Sequence, residues 1–270
     1  MEYDVAAIMG GLYGEGFIAC KGAFERAWVE RLGADIATLF AEARAQPGGV
    51  LARGPNRYYV EIHPERVHGI LDLVTHPWVV AVCNAVLGPD YKVVEAGFDI
   101  PGPGALRQPW HRDFAAPPAT LTGRRLNSLA FNLTTVDVTD DMGPLEIAPG
   151  TQWDVLPDAD PMFPPPELAP RYEARRQRKL PQMGDISARS ALTIHRGSAN
   201  LSSRARPVFV LGVDAPDARN AEKHDLQLSA DFYARLPESV RRHLACRVVD
   251  RLTPVVQAHT IEGLLMGAVG

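Results

Sequence analysis

Cysteine is scarce in this sequence and is never paired. The 270 residues contain 3 cysteines, Cys20, Cys83 and Cys246, which lie far apart and form no CxxC motif. A disulfide framework or a zinc knuckle needs closely spaced or paired cysteines, so the sequence argues against both kinds of site. Unpaired cysteines are typical of the reducing cytoplasm, and we therefore expect a cytoplasmic protein with buried thiols.

Long apolar runs and a targeting segment are also missing. No apolar stretch approaches the length of roughly 20 residues that a membrane-spanning helix needs. The first residues, MEYDVAAIMGG, include early acidic residues and lack the basic region and apolar stretch of a signal peptide. The sequence therefore predicts neither membrane association nor secretion.

An excess of positive charge is absent as well. Lys and Arg number 28 against 32 Asp and Glu, which gives a net charge of -4, whereas nucleic-acid-binding domains are usually basic. We therefore expect no nucleic-acid partner. Hydrophobic residues make up 46% and charged residues 22% of the chain, which is ordinary for a globular protein. Because no linker divides the chain, we predict a single domain over residues 1–270.

Helical patterns flank a central region of short strands. Apolar residues recur at helical spacing over residues 23–45, and two short helices broken at Pro77 are predicted within residues 65–87. Residues 57–62 predict a strand, and residues 229–245 predict a further helix. The chain is therefore expected to be mainly β with flanking helices.

The central region, roughly residues 90–215, has the texture of a β sandwich or barrel. Turn signals rich in proline, glycine and aspartate separate short β-prone segments at residues 91–100, 125–136, 144–149, 191–195 and 206–213. Many short strands joined in this way indicate a sandwich or barrel. The proline-rich segment 161–170 is interpreted as an insertion on the rim, where it would serve as a lid.

Three residues suggest a metal site. His111 and Asp113 stand two apart in RQPWHRDF, so both side chains point to the same face of an extended segment. A lone His-x-Asp triplet is weak evidence, but His195, at the end of the predicted strand ALTIH, supplies a third candidate ligand. Two histidines and one carboxylate leave metal positions open for a cosubstrate and O2, as iron(II) oxygenases require. Zinc more often takes a third histidine or a cysteine.

Two arginines follow the third ligand. Arg204 and Arg206 open the strand that carries Val208 and Val210, so one face of that strand would present both guanidinium groups. An arginine on an otherwise apolar face is costly unless it meets an anion, and arginine pairs well with carboxylates. A salt bridge at the mouth of the strand is the alternative interpretation.

Four stretches resemble the phytanoyl-CoA dioxygenase family of iron(II)/2-oxoglutarate-dependent oxygenases. They are QPWHRDF, MGPLEIAPGTQW, MGDISARSALTIH and HRGSANLSSRARP, and they occur in the family's order over roughly residues 90–215. The family shows W-H-x-D, a glycine-proline turn, a G-D strand that leads to a distal histidine, and then an arginine. The chain departs from the pattern at Thr151 and Gln152, where the family often has Ser-His.

The resemblance implies a double-stranded β-helix, or jelly-roll, fold and a set of site residues. It implies His111, Asp113 and His195 as iron(II) ligands, with 2-oxoglutarate and O2 as cosubstrates. Arg206, or else Arg204, would hold the distal carboxylate of 2-oxoglutarate, and Gln108 would hydrogen-bond the cosubstrate unless it is an exposed loop amide.

The resemblance also implies a reaction. Halogenating relatives replace the carboxylate with a small residue, so Asp113 favours hydroxylation or another oxidation, with release of succinate and CO2. The expected substrate is a small organic metabolite, by analogy one of bacterial secondary metabolism. A zinc hydrolase that uses the same triad and a non-catalytic jelly-roll binding protein remain the alternatives.

Overall fold

A computed structural model describes residues 3–157, 162–218 and 223–257. The strands are β1 (Phe17–Cys20), β2 (Leu51–Ala52), β3 (Arg57–Glu61), β4 (Lys92–Pro101), β5 (Ser128–Thr134), β6 (Leu145–Ile147), β7 (Gln177–Lys179), β8 (Ile186–Ser190), β9 (His195–Gly197), β10 (Val208–Asp214), β11 (Gln227–Ser229) and β12 (Arg247–Val249). The helices are α1 (Val5–Gly10), α2 (Arg26–Arg44), α3 (Ile70–Val74), α4 (Pro77–Leu87), α5 (Pro118–Gly123), α6 (Ala169–Arg175), α7 (Ala230–Arg235) and α8 (Glu238–Arg241).

The molecule contains two antiparallel sheets, and residues of both line one cavity. Within the described ranges, the main sheet has seven strands in the order β1-β8-β5-β10-β4-β3-β2, and a smaller sheet has the order β7-β6-β9. A separate parallel pair joins β11 to β12. The predicted β core of 90–215 was too narrow, because β1, β2 and β3 precede it and form both edges of the main sheet.

The two faces of the main sheet have different roles. Along β5, Leu129, Phe131 and Leu133 are buried in the large apolar core, together with side chains of α2 and α4. The alternate residues of the strand, Ser128 to Thr134, point to the opposite face and line a cavity. This alternation follows from the two-residue period of a strand. One face of the sheet therefore packs in the core, and the other lines the cavity.

The predicted helices are found, with one correction. The helix predicted over 23–45 is confirmed as α2, and the pair broken at Pro77 is confirmed as α3 and α4. The helix predicted over 229–245 is instead two short helices, α7 and α8, separated at Pro237. Proline fixes its own φ and lacks an N–H group, so it begins α8 rather than continuing α7.

None of the helices in the described ranges combines the length and apolar character that a membrane span requires. The single-domain organisation over residues 1–270 stays a prediction, since residues 1–2, 158–161, 219–222 and 258–270 lie outside the described ranges. Pro161, the first residue of the predicted rim insertion, is among them.

Candidate metal centre

The main chain brings the two candidate histidine ligands side by side. His111 and His195 form an antiparallel bridge in which each backbone N–H donates to the other residue's carbonyl, at 3.0 and 2.9 Å. Their ring centroids are consequently 4.3 Å apart. His195 begins β9 and does not end a strand over 191–195 as predicted, because Ala191 and Leu192 form a turn before it.

Asp113 completes the group. Its backbone N–H donates to the carbonyl of Ala191 at 2.9 Å, which fixes the segment beside the turn that leads to His195. The ligand atoms of His111, Asp113 and His195 all lie within 4.8 Å of one another. Asp113 Oδ1 is 3.4 Å from His195 Nε2, close to the spacing of about 3 Å between neighbouring ligands around one ion. The structure thus assembles the predicted triad.

Hydrogen bonds orient both imidazoles toward a shared point. The Nδ1 atoms of His111 and His195 each lie 2.9 Å from a backbone carbonyl oxygen, that of Pro109 and that of Thr193. Carbonyl oxygens only accept, so Nδ1 carries the proton in each ring, and a neutral ring then leaves the Nε2 lone pair open. Both histidines therefore fit the donor set that a divalent metal ion needs.

Burial keeps these rings neutral. It lowers the pKa of His111 to about 4, against smaller opposing effects of the Pro109 carbonyl and Asp113. Burial is also the main cause of the low pKa of His195, and the positive charge of Arg189 lowers it further. Neutral imidazole is the form that binds metal, so at neutral pH no proton has to leave before a metal binds.

Arg189 fixes the carboxylate of Asp113, a contact that the sequence analysis missed. Its Nη2 donates to Asp113 Oδ2 at 2.9 Å, while Oδ1 faces His195. One carboxylate oxygen is thereby occupied, and the other is left for a metal. Arg189 is 4% exposed and lies in β8, where alternate residues face the cavity. The signal for Arg189 in the sequence was a charged residue that shares one face of its strand with small residues.

The two candidate anion-binding arginines occupy different environments. Arg204 is exposed, whereas Arg206 is buried and lines the cavity. Burial, with the nearby charge of Arg57, lowers the pKa of Arg206 to about 10, so it remains protonated at neutral pH. Its Nε is buried and has no hydrogen-bond partner among the described residues. A guanidinium in this position fits an anionic ligand.

Arg57, in β3, lies beside Arg206. It is 1% exposed and pairs with Asp99, Nη1 to Oδ2, at 3.0 Å. A side chain on Gly197 would place its Cβ 2.5 Å from the Arg57 guanidinium, so β9 can pass this close only with glycine there.

Gln108 is buried, not exposed, and its Oε1 accepts from the Gly197 N–H at 2.7 Å. Its contact with a cosubstrate stays a prediction.

A cavity of about 1060 Å³ joins these groups. Main-sheet residues, the triad, Arg206 and Gln108 line it, together with Met162 of the predicted rim insertion. The Met162 carbonyl accepts a hydrogen bond from the Arg112 N–H at 3.0 Å, and the Phe163 ring lies 6.0 Å from that of His111. Met162 and Phe163 of the insertion therefore lie beside the candidate metal centre, while movement of the insertion as a lid stays a prediction.

Comparisons with known proteins agree with this geometry. The sequence model of the family described as phytanoyl-CoA dioxygenase (PhyH) matches residues 12–208. No curated protein matches the sequence.

Two solved structures share the architecture at 18% sequence identity and a TM-score of 0.61. One is SnoN, described as a non-heme alpha ketoglutarate dependent epimerase from nogalamycin biosynthesis, which is matched over 78% of this chain and 80% of its own. The other is SnoK, described as a carbocyclase of the same kind and pathway, which is matched over 79% and 85%. The predicted jelly-roll fold is confirmed.

Proposed function

We propose that this chain, which belongs to the phytanoyl-CoA dioxygenase family, hydroxylates a small organic metabolite with iron(II) held by His111, Asp113 and His195. Membership of the family makes it a dioxygenase that uses iron(II), 2-oxoglutarate and O2. The observation that carries the residue assignment is the convergence of three ligand atoms within 4.8 Å, with two imidazole Nε2 atoms open.

When bound, iron(II) and 2-oxoglutarate supply the oxidant, and 2-oxoglutarate leaves as succinate and CO2. The side chains position the reactants. Arg189 holds Asp113 so that one carboxylate oxygen faces the histidines. Arg206 is assigned to the distal carboxylate of 2-oxoglutarate, because it is buried, charged and without an ion-pair partner within 4 Å among the described residues.

The cavity supports a substrate larger than the cosubstrate. Its volume of about 1060 Å³ exceeds what a five-carbon diacid fills, and it is enclosed by apolar and polar walls from both sheets. SnoN and SnoK act in nogalamycin biosynthesis. At 18% identity they share the fold alone, but they support a natural product as the substrate class to screen first.

Turnover without a primary substrate tests the proposal. Protein loaded with iron(II) is given 2-oxoglutarate and O2, and succinate formation and O2 uptake are measured together. We expect slow O2 uptake that is matched by succinate formation, and we expect both to be abolished when zinc replaces iron. Hydrolysis that persists with zinc and without 2-oxoglutarate would favour the hydrolase alternative, and metal binding without O2 uptake would favour a binding protein.

The product of a substrate screen identifies the reaction. Hydroxylation adds one oxygen atom to the substrate mass, ring closure or desaturation removes two hydrogens, and epimerisation leaves the mass unchanged. The retained carboxylate of Asp113 supports the first outcome over halogenation.

A further inference from the structure

Arg53 presents a guanidinium to the cavity from the turn between β2 and β3. Its backbone N–H donates to the carbonyl of Arg57 at 2.9 Å, which closes the turn. Its side chain lies over the ring of Tyr59, with Cζ 4.2 Å from the ring centroid. Both residues line the cavity that contains the metal triad. The hairpin and the ring together fix where this positive charge lies.

The contacts of Tyr59 fix the position of its ring. Its ring lies across β4, where a Cβ on Gly97 would be 2.7 Å from the phenol oxygen. The phenol donates a hydrogen bond to the carboxylate of Glu95, and Tyr59 is 5% exposed. Glycine at 97 therefore leaves room for the Tyr59 ring against β4, and Arg53 lies over that ring.

Arg53 has no ion-pair partner within 4 Å in the described part of the chain. Its Nε is buried with no hydrogen-bond partner among those residues. The neighbouring Glu95 accepts from Tyr59. Arg53 is half-buried, and a guanidinium fixed at a cavity wall without an ion-pair partner fits an anion that enters with a ligand.

On the proposed function, three other arginines of the cavity have partners. Arg189 pairs with Asp113, and Arg57 pairs with Asp99. One carboxylate of 2-oxoglutarate would face the metal ion and the other Arg206. Of these four arginines, Arg53 is the one that pairs neither with a described carboxylate nor, on the proposed function, with the cosubstrate.

We propose that the primary substrate is an organic acid whose carboxylate binds Arg53. A carboxylate suits the planar guanidinium, which can donate two parallel hydrogen bonds from a position fixed on Tyr59. The carboxylate would anchor the substrate in the cavity and leave the carbon to be oxidised near the triad. This proposal rests on the proposed function, since it assumes that 2-oxoglutarate occupies Arg206.

A pair of probes of equal shape tests the charge requirement. Benzoate and its neutral analogue benzamide are titrated calorimetrically, without O2, into protein saturated with iron(II) and 2-oxoglutarate. We expect wild type to bind benzoate at least about tenfold more tightly than benzamide, the ratio that one charge-assisted pair gives. Arg53→Gln should abolish the preference, and Arg53→Lys should retain part of it. Arg31→Gln, an equal charge change at an exposed position of α2, should leave it intact.

Three outcomes would overturn the proposal. They are equal binding of the two probes by wild type, an undiminished preference in Arg53→Gln, and weaker 2-oxoglutarate binding in Arg53→Gln, which would place Arg53 in the cosubstrate site. Titration of 2-oxoglutarate into wild type is done first. Its failure to bind would count against the proposed function itself and not specifically against the role of Arg53.

Discussion

The carboxylate of Glu173 holds the guanidinium of Arg196 through two hydrogen bonds, of 2.6 and 3.0 Å. Glu173 also accepts from Trp110 Nε1 at 3.3 Å, and Arg196 Cζ lies 4.1 Å from the Trp110 ring centroid. Trp110 and Arg196 are the direct neighbours of His111 and His195, and alternation along the bridged segments puts them on the opposite side. Glu173, in α6, therefore supports both histidines from behind.

Loss of this support should weaken the metal site. We expect Glu173→Gln to lower iron(II) affinity about tenfold, as changes behind metal ligands commonly do. The unfolding free energy should fall by only about 1 kcal/mol, because Arg196 keeps its buried partner Glu146. Competition with a metal indicator and denaturant unfolding measure the two effects.

Glu167→Gln is the matched control. Glu167 is exposed in the segment just before α6, and the substitution removes the same charge. Equal iron affinity in Glu173→Gln and Glu167→Gln would show that the contact behind the histidines does not position them.

The buried arginine should govern cosubstrate binding. Arg206→Ala removes the cation assigned to the distal carboxylate, and we expect the dissociation constant of 2-oxoglutarate to rise about 30-fold or more. Arg204→Ala should leave it unchanged, because Arg204 is exposed and does not line the cavity. Calorimetric titration of 2-oxoglutarate into both variants under anaerobic conditions checks that Arg206→Ala weakens binding more than Arg204→Ala does. The reverse result would assign the carboxylate to Arg204.

Removal of a metal ligand should abolish turnover but leave the fold near native. We expect His111→Ala and Asp113→Ala to form no succinate above background while their circular dichroism stays near native. Asp113→Ala should be the less stable variant, because it leaves the buried Arg189 without its carboxylate. Undiminished succinate formation in either variant would contradict the ligand assignment.

The sequence predicted the parts of this site that are local in the chain. His111 and Asp113 share one extended segment, and α2 follows from its own apolar spacing. Arg189 meets Asp113 only through the pairing of β8 with β5 and the contact between Ala191 and Asp113, which no local pattern encodes. The packing of Arg53 on Tyr59 likewise depends on a glycine in a different strand.

The ion pair of His224 and Glu61 should make stability depend on pH. His224 Nδ1 lies 2.7 Å from Glu61 Oε2, and although burial opposes the charged ring, this contact raises the pKa of His224. The folded state therefore binds the proton more tightly than the unfolded state. The resulting stability is complete below the unfolded pKa of about 6.5 and is lost as the pH rises through the higher folded value.

A variant that lacks only His224 isolates this contribution. We expect wild type to exceed His224→Gln in melting temperature by more at pH 6 than at pH 9. Calorimetric scans at the two pH values measure the gap, and a gap that stayed constant or widened toward pH 9 would rule out stabilisation by the charged pair.

Formation of the iron(II) complex with 2-oxoglutarate tests whether His111, Asp113 and His195 hold the metal of an oxygenase. Anaerobic protein is mixed with iron(II) and 2-oxoglutarate, and the weak visible charge-transfer band of the chelate is recorded for wild type and His195→Ala. We expect the band in wild type and its loss in His195→Ala. Absence of the band and of 2-oxoglutarate binding in wild type would contradict the oxygenase assignment, and an unchanged band in His195→Ala would contradict the ligand set.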